Sequence, residues 1–265
     1  SQIPTDIFGI DKLGLGTSPS IPETEASTNR LLSYFTSLNY SWKNRYLLTA
    51  VFRADGSSKF NKDNRWGYFP SASLGWRLDK EDFIKNLDFI SAAKLRLGWG
   101  ITGNNRIRDY EAFSQLDIGS GSGYVWGETE TFIPGAFQSN LGVPDLKWET
   151  TEQFDAGFDF GIFDQRIEGT IDYYIKTTKD LLLRAESALH TGFDRVQQNV
   201  GSVRNEGLEI TINTRNIDRP KFKWNSSFNI SFNKNTTLGL NSGQTRILRD
   251  PEWKNDTEPQ YITEI

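Results

Sequence analysis

The segment DLKWETTEQFDAGFDFGIFDQRIEGTIDYYIKTTKDLLL, residues 145–183, decides the fold class of this chain. Apolar and polar side chains alternate through two runs of it, 147–161 and 166–177, which a short connection at 163–165 separates. A period of two places the apolar side chains on one face of an extended strand and the polar side chains on the other. The segment therefore predicts two long antiparallel strands joined by a tight turn.

The same alternation predicts six further strands, for a total of about eight. The six runs are 31–42, 45–55, 67–78, 92–101, 207–215 and 222–233. Most runs exceed the ~5–6 residues usual in soluble sheets and reach the ~9–11 that a tilted strand needs to cross a bilayer. Helical spacing occurs only in 79–91, where Phe83, Leu87 and Ile90 predict one short amphipathic helix.

The connections between the predicted strands separate by length. If successive strands run down and up, the short connections at 43–44, 163–165 and 218–221 all fall at one end of the sheet, where 79–91 is the one moderately long connection. The long connections fall at the other end and are 56–66, 102–146, 178–206 and the residues after 234. Outer-membrane barrels have short periplasmic turns and long extracellular loops. The pattern therefore predicts an all-β, antiparallel transmembrane β-barrel architecture.

The two faces of such strands meet different surroundings. Lipid offers no hydrogen-bond partner, so a membrane sheet closes on itself with its apolar face toward lipid and its polar face toward a lumen. The candidate lumen-lining residues are Arg53, Arg96, Asp155, Asp159, Glu168, Asp172 and Lys176. Tryptophans near strand ends suit the boundary between acyl chains and headgroups. These candidate membrane-interface aromatics are Trp42, Trp66, Trp76, Trp99, Trp148 and Trp224.

Composition excludes several classes of function. The 265 residues include 30 Lys plus Arg and 34 Asp plus Glu, and a net charge of −4 without a basic cluster argues against a nucleic-acid partner. Zero cysteine excludes thiol catalysis and Cys-type zinc sites. Carboxylates four residues apart on one strand lie about 13 Å apart, too far for a glycosidase pair. We expect no catalytic residue, no metal site and no cofactor.

Five stretches in order resemble the SusC/RagA family of TonB-dependent outer-membrane transporters. They are residues 33–78 (SYFTSLNYSWKNRYLLTAVFRADGSSKFNKDNRWGYFPSASLGWRL), 94–104 (KLRLGWGITGN), 145–183, 198–214 (QNVGSVRNEGLEITINT) and 222–235 (FKWNSSFNISFNKN). The resemblance implies a plugged barrel of the 22-stranded type in the bacterial outer membrane. It also implies uptake of glycans or peptides, a SusD-like surface lipoprotein as partner, and energy delivered through TonB.

The resemblance predicts a partial domain organisation for this chain. Residues 1–30 are expected to be loop-like, 31–234 to hold the strands and 235–265 to form an extracellular loop. The whole of 1–265 would then be part of a receptor barrel domain, with the plug domain absent from this chain. We expect it to be a middle portion of the barrel, unable to insert alone because its two sheet edges are open.

The long loops carry the candidate contact residues. Aromatic side chains there could stack on sugars or contact a partner, or they could pack within the loops themselves. These residues are Tyr124, Trp126, Phe132, Phe137 and Trp253. The stretch RADGSSKF, residues 53–60, contains an Asp-Gly turn signal that favours a strand terminator over a structured loop near the plug or the lipoprotein.

Two other functional classes remain open from sequence. A soluble β-sandwich that binds carbohydrate would explain the aromatics and the alternation, but not the strand length or the separation of loop lengths. An all-β glycosidase would need a close carboxylate pair, and no such pair can be identified in the sequence.

Overall fold

The computed structural model describes residues 26–126, 131–240, 246–249 and 260–263. One antiparallel sheet of eight strands dominates it, in the order β1-β2-β3-β4-β7-β8-β11-β12. These strands are β1 Leu31–Trp42, β2 Tyr46–Ser57, β3 Trp66–Arg77, β4 Ile90–Asn104, β7 Glu149–Ile162, β8 Ile167–Lys179, β11 Ser202–Arg219 and β12 Phe222–Gly239. All eight correspond to the runs predicted by alternation, which confirms the all-β antiparallel fold class.

Three smaller two-stranded sheets complete the described strands. They are β5 Gln115–Trp126 with β6 Thr131–Asn140, β9 Leu182–Glu186 with β10 Arg195–Asn199, and β13 Arg246–Arg249 with β14 Gln260–Thr263. The first two pairs lie within the long connections 102–146 and 178–206, which were expected to be loops. In the predicted loop 235–265, β12 continues to Gly239 before the third pair begins. Residues 1–25 lie outside the described part of the chain.

The apolar face is continuous because the register aligns it across every strand. One row of directly paired residues runs Tyr40, Leu48, Leu74, Leu97, Ala156, Tyr173, Leu208 and Phe232. The adjoining row runs Trp42, Tyr46, Trp76, Leu95, Phe158, Ile171, Ile210 and Ile230. Paired residues in antiparallel strands point to the same side of the sheet. We call this side the outer face.

The opposite side, the inner face, is polar and rich in small residues. A row between the two outer rows runs Ser41, Leu47, Gly75, Arg96, Gly157, Asp172, Glu209 and Ser231. All seven residues proposed from sequence to line a lumen occupy inner-face positions in this register. The division of faces follows from the period of two, since a shift of one residue would exchange them in any strand.

The connections have the predicted distribution of lengths. Residues 43–45, 163–166 and 220–221 join strands at one end, the short-turn rim, and the long segments 105–148 and 180–201 join strands at the other end, the long-loop rim. The exception is 78–89, which lies at the short-turn rim and is longer than the connection 58–65 at the long-loop rim. Lys43 and Asn44 have φ of 51° and 52°, the left-handed backbone typical of tight hairpin turns.

The helix predicted over 79–91 is wrong in extent. Only α1, Asp82–Lys85, is α-helical within this range, and Phe83 is 62% exposed. Ile90 already begins β4, because its backbone joins the sheet ladder opposite Ile162. No helix in the described residues has the length and apolar character required to span a membrane.

The sandwich alternative requires a second sheet packed on the apolar face. Within the described residues no such layer exists, and the outer-face side chains Leu38, Leu74 and Phe232 are 54–59% exposed. The part of the chain that the structure describes therefore leaves the apolar face uncovered and does not form the two packed sheets of a sandwich.

A pair of adjacent substitutions in β3 tests the assignment of faces. Leu74 lies in the outer-face row that runs from Tyr40 to Phe232, and the neighbouring Ser73 lies on the inner face. If the outer face meets lipid as the sequence predicts, Leu74→Arg in the full-length protein should cost about 2–4 kcal/mol of stability, the range measured near a bilayer midplane. Ser73→Arg should have little effect because that side chain stays in a polar environment.

The measurement is the temperature at which the membrane-extracted protein loses its folded, fast-migrating band on a gel. Equal losses from Leu74→Arg and Ser73→Arg would contradict the assignment.

Candidate functional site

An apolar cluster orders the long-loop rim. Phe60, Phe69, Ile107, Ala112, Leu146 and Trp148 are each at most 7% exposed and pack together. Phe60 and Phe69 both lie with ring centroids 5.4 Å from that of Trp148. The cluster joins the loop after β2, the segment after β4 and the segment before β7, so two of the long connections share one small core. We call it the rim cluster.

The RADGSSKF stretch forms part of this core, which corrects the interpretation as a simple strand terminator. β2 continues through Ser57, and Phe60 is completely buried. A Cβ on Gly56 would lie 3.0 Å from the Trp66 ring, so a residue without a side chain suits this close approach. Lys59 Nζ donates a hydrogen bond to the Ile107 carbonyl at 2.6 Å and lies 3.5 Å from Asp109 Oδ1.

The structure also contradicts the prediction that Trp148 is a membrane-interface aromatic. Its indole is buried in the rim cluster, and its Nε1 donates to the Arg65 carbonyl at 3.0 Å. A ring held in this way is not available to lipid headgroups. The other five tryptophans are partly or largely exposed in the described chain, and their placement at lipid boundaries stays a prediction. They are Trp42, Trp66, Trp76, Trp99 and Trp224.

The β5–β6 hairpin carries the loop aromatics that the structure describes. Tyr124 pairs with Ile133, and Phe137 lies on the same face of the hairpin, four residues along β6. These three side chains are 36–54% exposed, and Leu116 on the opposite face is 63% exposed. Gly135 lies between Ile133 and Phe137 and leaves this face flat. Trp253 and the side chains of Trp126 and Phe132 fall outside the described part of the structure.

The inner face has one dense network of charges at its centre. Arg96 donates through Nε and Nη2 to Asp159 at 2.8–3.0 Å, and through Nη2 to Asp172 at 2.8 Å. A Cβ on Gly157 would lie 2.7 Å from the Arg96 guanidinium carbon. The absence of a side chain there lets the arginine lie flat on the sheet, so the wall is charged without projecting far inward.

Glu81 organises the short-turn rim. Its carboxylate accepts hydrogen bonds from Arg45 Nη1 at 3.0 Å, from the Tyr46 hydroxyl at 3.0 Å and from Trp76 Nε1 at 3.1 Å. The ring centroids of Tyr46 and Trp76 lie 6.1 Å apart in a stacked arrangement. One carboxylate thus fixes the connection after β3 against the ends of β2 and β3. Sequence reasoning missed it, because nothing in an acidic run distinguishes Glu81 from its neighbours.

The described residues contain no group of three or more His, Cys, Asp or Glu side chains placed to hold a metal ion. His190, the only histidine of the sequence, is exposed within a short 3-10 turn, Leu189–Thr191.

The rim cluster predicts where the long connections lose order. Phe60→Ala should cost about 3–5 kcal/mol of local stability, because truncating a buried phenylalanine loses its transfer energy and leaves a cavity. Trypsin should then cleave the folded full-length protein faster at Lys59, Arg106 and Arg108. Phe113→Ala is the matched control, since Phe113 is 40% exposed beside the same segment. Equal cleavage rates for the two variants would refute a stabilising role for the cluster.

The environment of Glu81 predicts a pH dependence. The hydrogen bond from Trp76 is the largest cause that holds the pKa of Glu81 below its ordinary value of 4.5, with the Tyr46 hydroxyl and the Arg45 charge acting in the same direction against desolvation. A carboxyl with a lowered pKa in the folded state stabilises that state above its unfolded pKa. The stabilisation should therefore be present at pH 7 and decline as the pH falls below 4.5.

Glu81→Gln should lower the unfolding temperature of the full-length protein at pH 7, with a smaller difference from wild type at pH 3. Asp82→Asn is the matched control, because Asp82 is 87% exposed and should leave both temperatures unchanged. A Glu81→Gln effect that does not vary with pH would contradict the role of the charge.

Comparisons with known proteins agree with this geometry. Residues 5–258 match the family described as TonB dependent receptor-like, beta-barrel. The chain is 45% identical over 223 residues to the TonB-dependent receptor SusC of Bacteroides thetaiotaomicron, covering 82% of this chain and 22% of SusC. It is 40% identical over 217 residues to the TonB-dependent receptor P39 of Formosa agariphila, covering 82% of this chain and 20% of P39.

A solved structure of the RagAB peptide transporter matches with a TM-score of 0.78 and 27% identity, covering 89% of this chain and 25% of the matched chain. This chain therefore spans about a fifth to a quarter of the length of these relatives. The eight-stranded sheet, its two faces and these matches lead to one conclusion. The chain belongs to the β-barrel family of TonB-dependent receptors, of the SusC/RagA type, and is part of an outer-membrane protein.

Proposed function

We propose that the protein containing this chain is a nutrient importer of the outer membrane, energised through TonB. The division of the eight-stranded sheet into a continuous apolar face and a polar, glycine-containing face is the observation that carries the proposal. In the proposed arrangement the outer face meets lipid, with the five partly exposed tryptophans toward its borders. The inner face lines the lumen through the seven charged residues named above.

The proposed mechanism is transport without covalent chemistry on the substrate. At the centre of the inner face Arg96 is paired with both Asp159 and Asp172, so these three side chains are held by one another. A wall of this kind supplies many weak hydrogen bonds, which suits a solute that has to leave again. Energy would enter through TonB acting on a plug domain, as the resemblance to SusC implies.

The cargo we propose is an oligosaccharide or a peptide, delivered by a SusD-like surface lipoprotein. SusC is 45% identical to this chain, and RagAB, whose matched chain is 27% identical, is a peptide transporter. The inner face carries both signs of charge, with Lys94 and Arg96 on β4, Asp155 and Asp159 on β7, and Glu168, Asp172 and Lys176 on β8. The uptake experiment therefore uses both oligosaccharides and peptides.

The test is uptake by cells that lack the gene for the full-length protein. Fluorescent oligosaccharide and peptide pools are offered to the deletion strain and to the complemented strain, with and without a proton uncoupler. The proposal expects one pool to enter only the complemented strain and only with the proton gradient intact. Equal uptake of both pools by the two strains, or import that resists the uncoupler, would overturn it.

The proposal places a contact for partner or cargo on the β5–β6 hairpin. The rim cluster supports the base of this hairpin through Ile107 and Leu146, so its exposed face would be presented in a fixed position. Aromatic side chains next to a glycine can bury a large apolar surface area on contact with a partner, and they lose little side-chain entropy in doing so.

The double variant Tyr124→Ala/Phe137→Ala should weaken association with the lipoprotein or the cargo by about tenfold or more, as expected for aromatic anchors of an interface. Leu116→Ala is the matched control on the opposite face of the same hairpin, where the register places no part of this contact. The readout is the amount of lipoprotein that co-purifies, together with the concentration of cargo at half-maximal uptake. If Leu116→Ala weakens both as much as the double variant does, the contact face is wrong.

A further inference from the structure

An arginine-lined recess lies at the short-turn rim between β8, β11 and β12. Three adjoining cavities of about 310, 430 and 360 Å³ meet there, and Arg215 lines all three. Arg166 lines the second and the third, and Arg219 the second. The function proposed above leaves this cluster unexplained.

A β-bulge shapes the recess. The register of β11 against β12 shifts between Arg215 and Ile217, so Asn216 has no partner of its own across the pair. Its side chain instead donates to the Ser226 hydroxyl at 2.7 Å and accepts from the Thr214 hydroxyl at 3.0 Å. Bulges re-aim side chains at the rims of barrels. C-terminal to the bulge at Asn216, Arg219 pairs with Phe222 on the outer side of the sheet.

The guanidinium groups of Arg166 and Arg215 bind backbone carbonyls rather than carboxylates. Arg215 donates to the carbonyls of Asp164 and Gln165 at 2.8–3.3 Å, and Arg166 Nη2 donates to the Asn216 carbonyl at 3.2 Å. Within the described chain no carboxylate lies within 4.0 Å of the guanidinium nitrogens of Arg166, Arg215 or Arg219. Each guanidinium has five N–H donors in a planar fork, so donors remain for a ligand.

The nearby carboxylates limit where an anion could lie. Asp218 is paired with Lys223 at 3.2 Å. Glu168 lines the 310 Å³ cavity on the inner side, where it would repel an anion. Asp164 belongs to the turn whose carbonyl holds Arg215. The 360 Å³ cavity, which Arg166 and Arg215 line, has no carboxylate in its lining, and Arg219 lies on the outer side opposite Phe222.

The outer side of the recess borders exposed apolar side chains. Phe163 and Ile167 line the 360 Å³ cavity, and Phe163 is 54% exposed. Phe222 and Trp224, which pair with Arg219 and Ile217, are 58% and 53% exposed. Cations beside an apolar surface at the end of the outer face match an amphiphile with an anionic head. A free anion would gain nothing from the apolar border.

We propose that this recess binds the phosphate of an anionic glycerophospholipid in the periplasmic leaflet. The inference rests on the proposed barrel, since it needs the outer face to meet lipid and the short turns to lie on the periplasmic side. Arg166, Arg215 and Arg219 bind the phosphate oxygens in fork geometry, and the acyl chains lie along Phe163, Ile217 and Trp224. Elsewhere on this rim the arginines have carboxylate partners, Arg45 with Glu81 and Arg77 with Asp79.

The test is lipid binding by the purified full-length protein in detergent, measured by native mass spectrometry. The probes are a phosphatidylglycerol and a phosphatidylcholine with identical acyl chains, with inorganic phosphate as competitor. Arg219→Gln removes a charge that makes no hydrogen bond within the described chain, so the fold should be unaffected. Arg166→Gln/Arg215→Gln removes two charges. Lys43→Gln/Lys85→Gln is the charge-matched control on the same rim outside the recess.

We expect selective retention of the phosphatidylglycerol by wild type and by the lysine control. Affinity should fall about fivefold in Arg219→Gln and about 30-fold in the double arginine variant, since each basic side chain near a lipid surface contributes a roughly equal share. Equal retention of the two lipids, or unchanged affinity in both arginine variants, would overturn the inference. Displacement of the phosphatidylglycerol by millimolar phosphate would also overturn it, in favour of a free-anion site.

The gel migration of unboiled protein separates this inference from the proposed function. Wild-type protein that migrates as a folded barrel but shows no lipid selectivity refutes the lipid site alone. Wild-type protein that never forms a folded band refutes the barrel and, with it, the site. If the double arginine variant fails to fold, the result for Arg219→Gln decides.

Discussion

Backbone hydrogen bonding is the constraint on which the rest of this structure depends. A strand in a hydrocarbon environment has to satisfy every N–H and C=O within the sheet, because lipid offers no partner. The eight strands form one continuous antiparallel sheet in which each of the six interior strands pairs on both sides, while β1 and β12 each pair on one side. Once the ladder is fixed, side chains alternate between faces, and the apolar rows from Tyr40 to Phe232 and from Trp42 to Ile230 follow without further interaction.

The two rims are stabilised by different interactions from those of the eight-stranded sheet. Where the ladder ends, turn and loop backbone has to be held by side chains. Glu81 does this at the short-turn rim by accepting hydrogen bonds from three residues of β2, β3 and the turn between β1 and β2. At the long-loop rim, buried rings of Phe60 and Trp148 bring together segments far apart in sequence. The sheet is therefore stabilised by the same backbone pairing in every strand, whereas each rim depends on contacts made by a few specific side chains.

Most of the fold could be predicted from the sequence, but the rims could not. The period of two identified all eight wall strands and the face of every proposed lumen residue, because that signal is local and repeats in each strand. The β5–β6 hairpin was missed because GSGSG, residues 119–123, lacks apolar alternation although it lies within β5. Trp148 was assigned to the lipid boundary because periodicity gives the face of a side chain and not what covers it.

The sequence by itself determined the two-faced wall, the tight turns and the separation of loop lengths, since each depends on residues close together in the chain. Only the tertiary structure decided the rim cluster, the bonds of Glu81 and the arginine recess. Their partners are distant in sequence: Trp148 and Arg65 are 83 residues apart, Arg45 and Glu81 are 36 apart, and Arg166 and Asn216 are 50 apart. Contacts of this range exist only after strand pairing has set the register, and no local pattern of residue types encodes them.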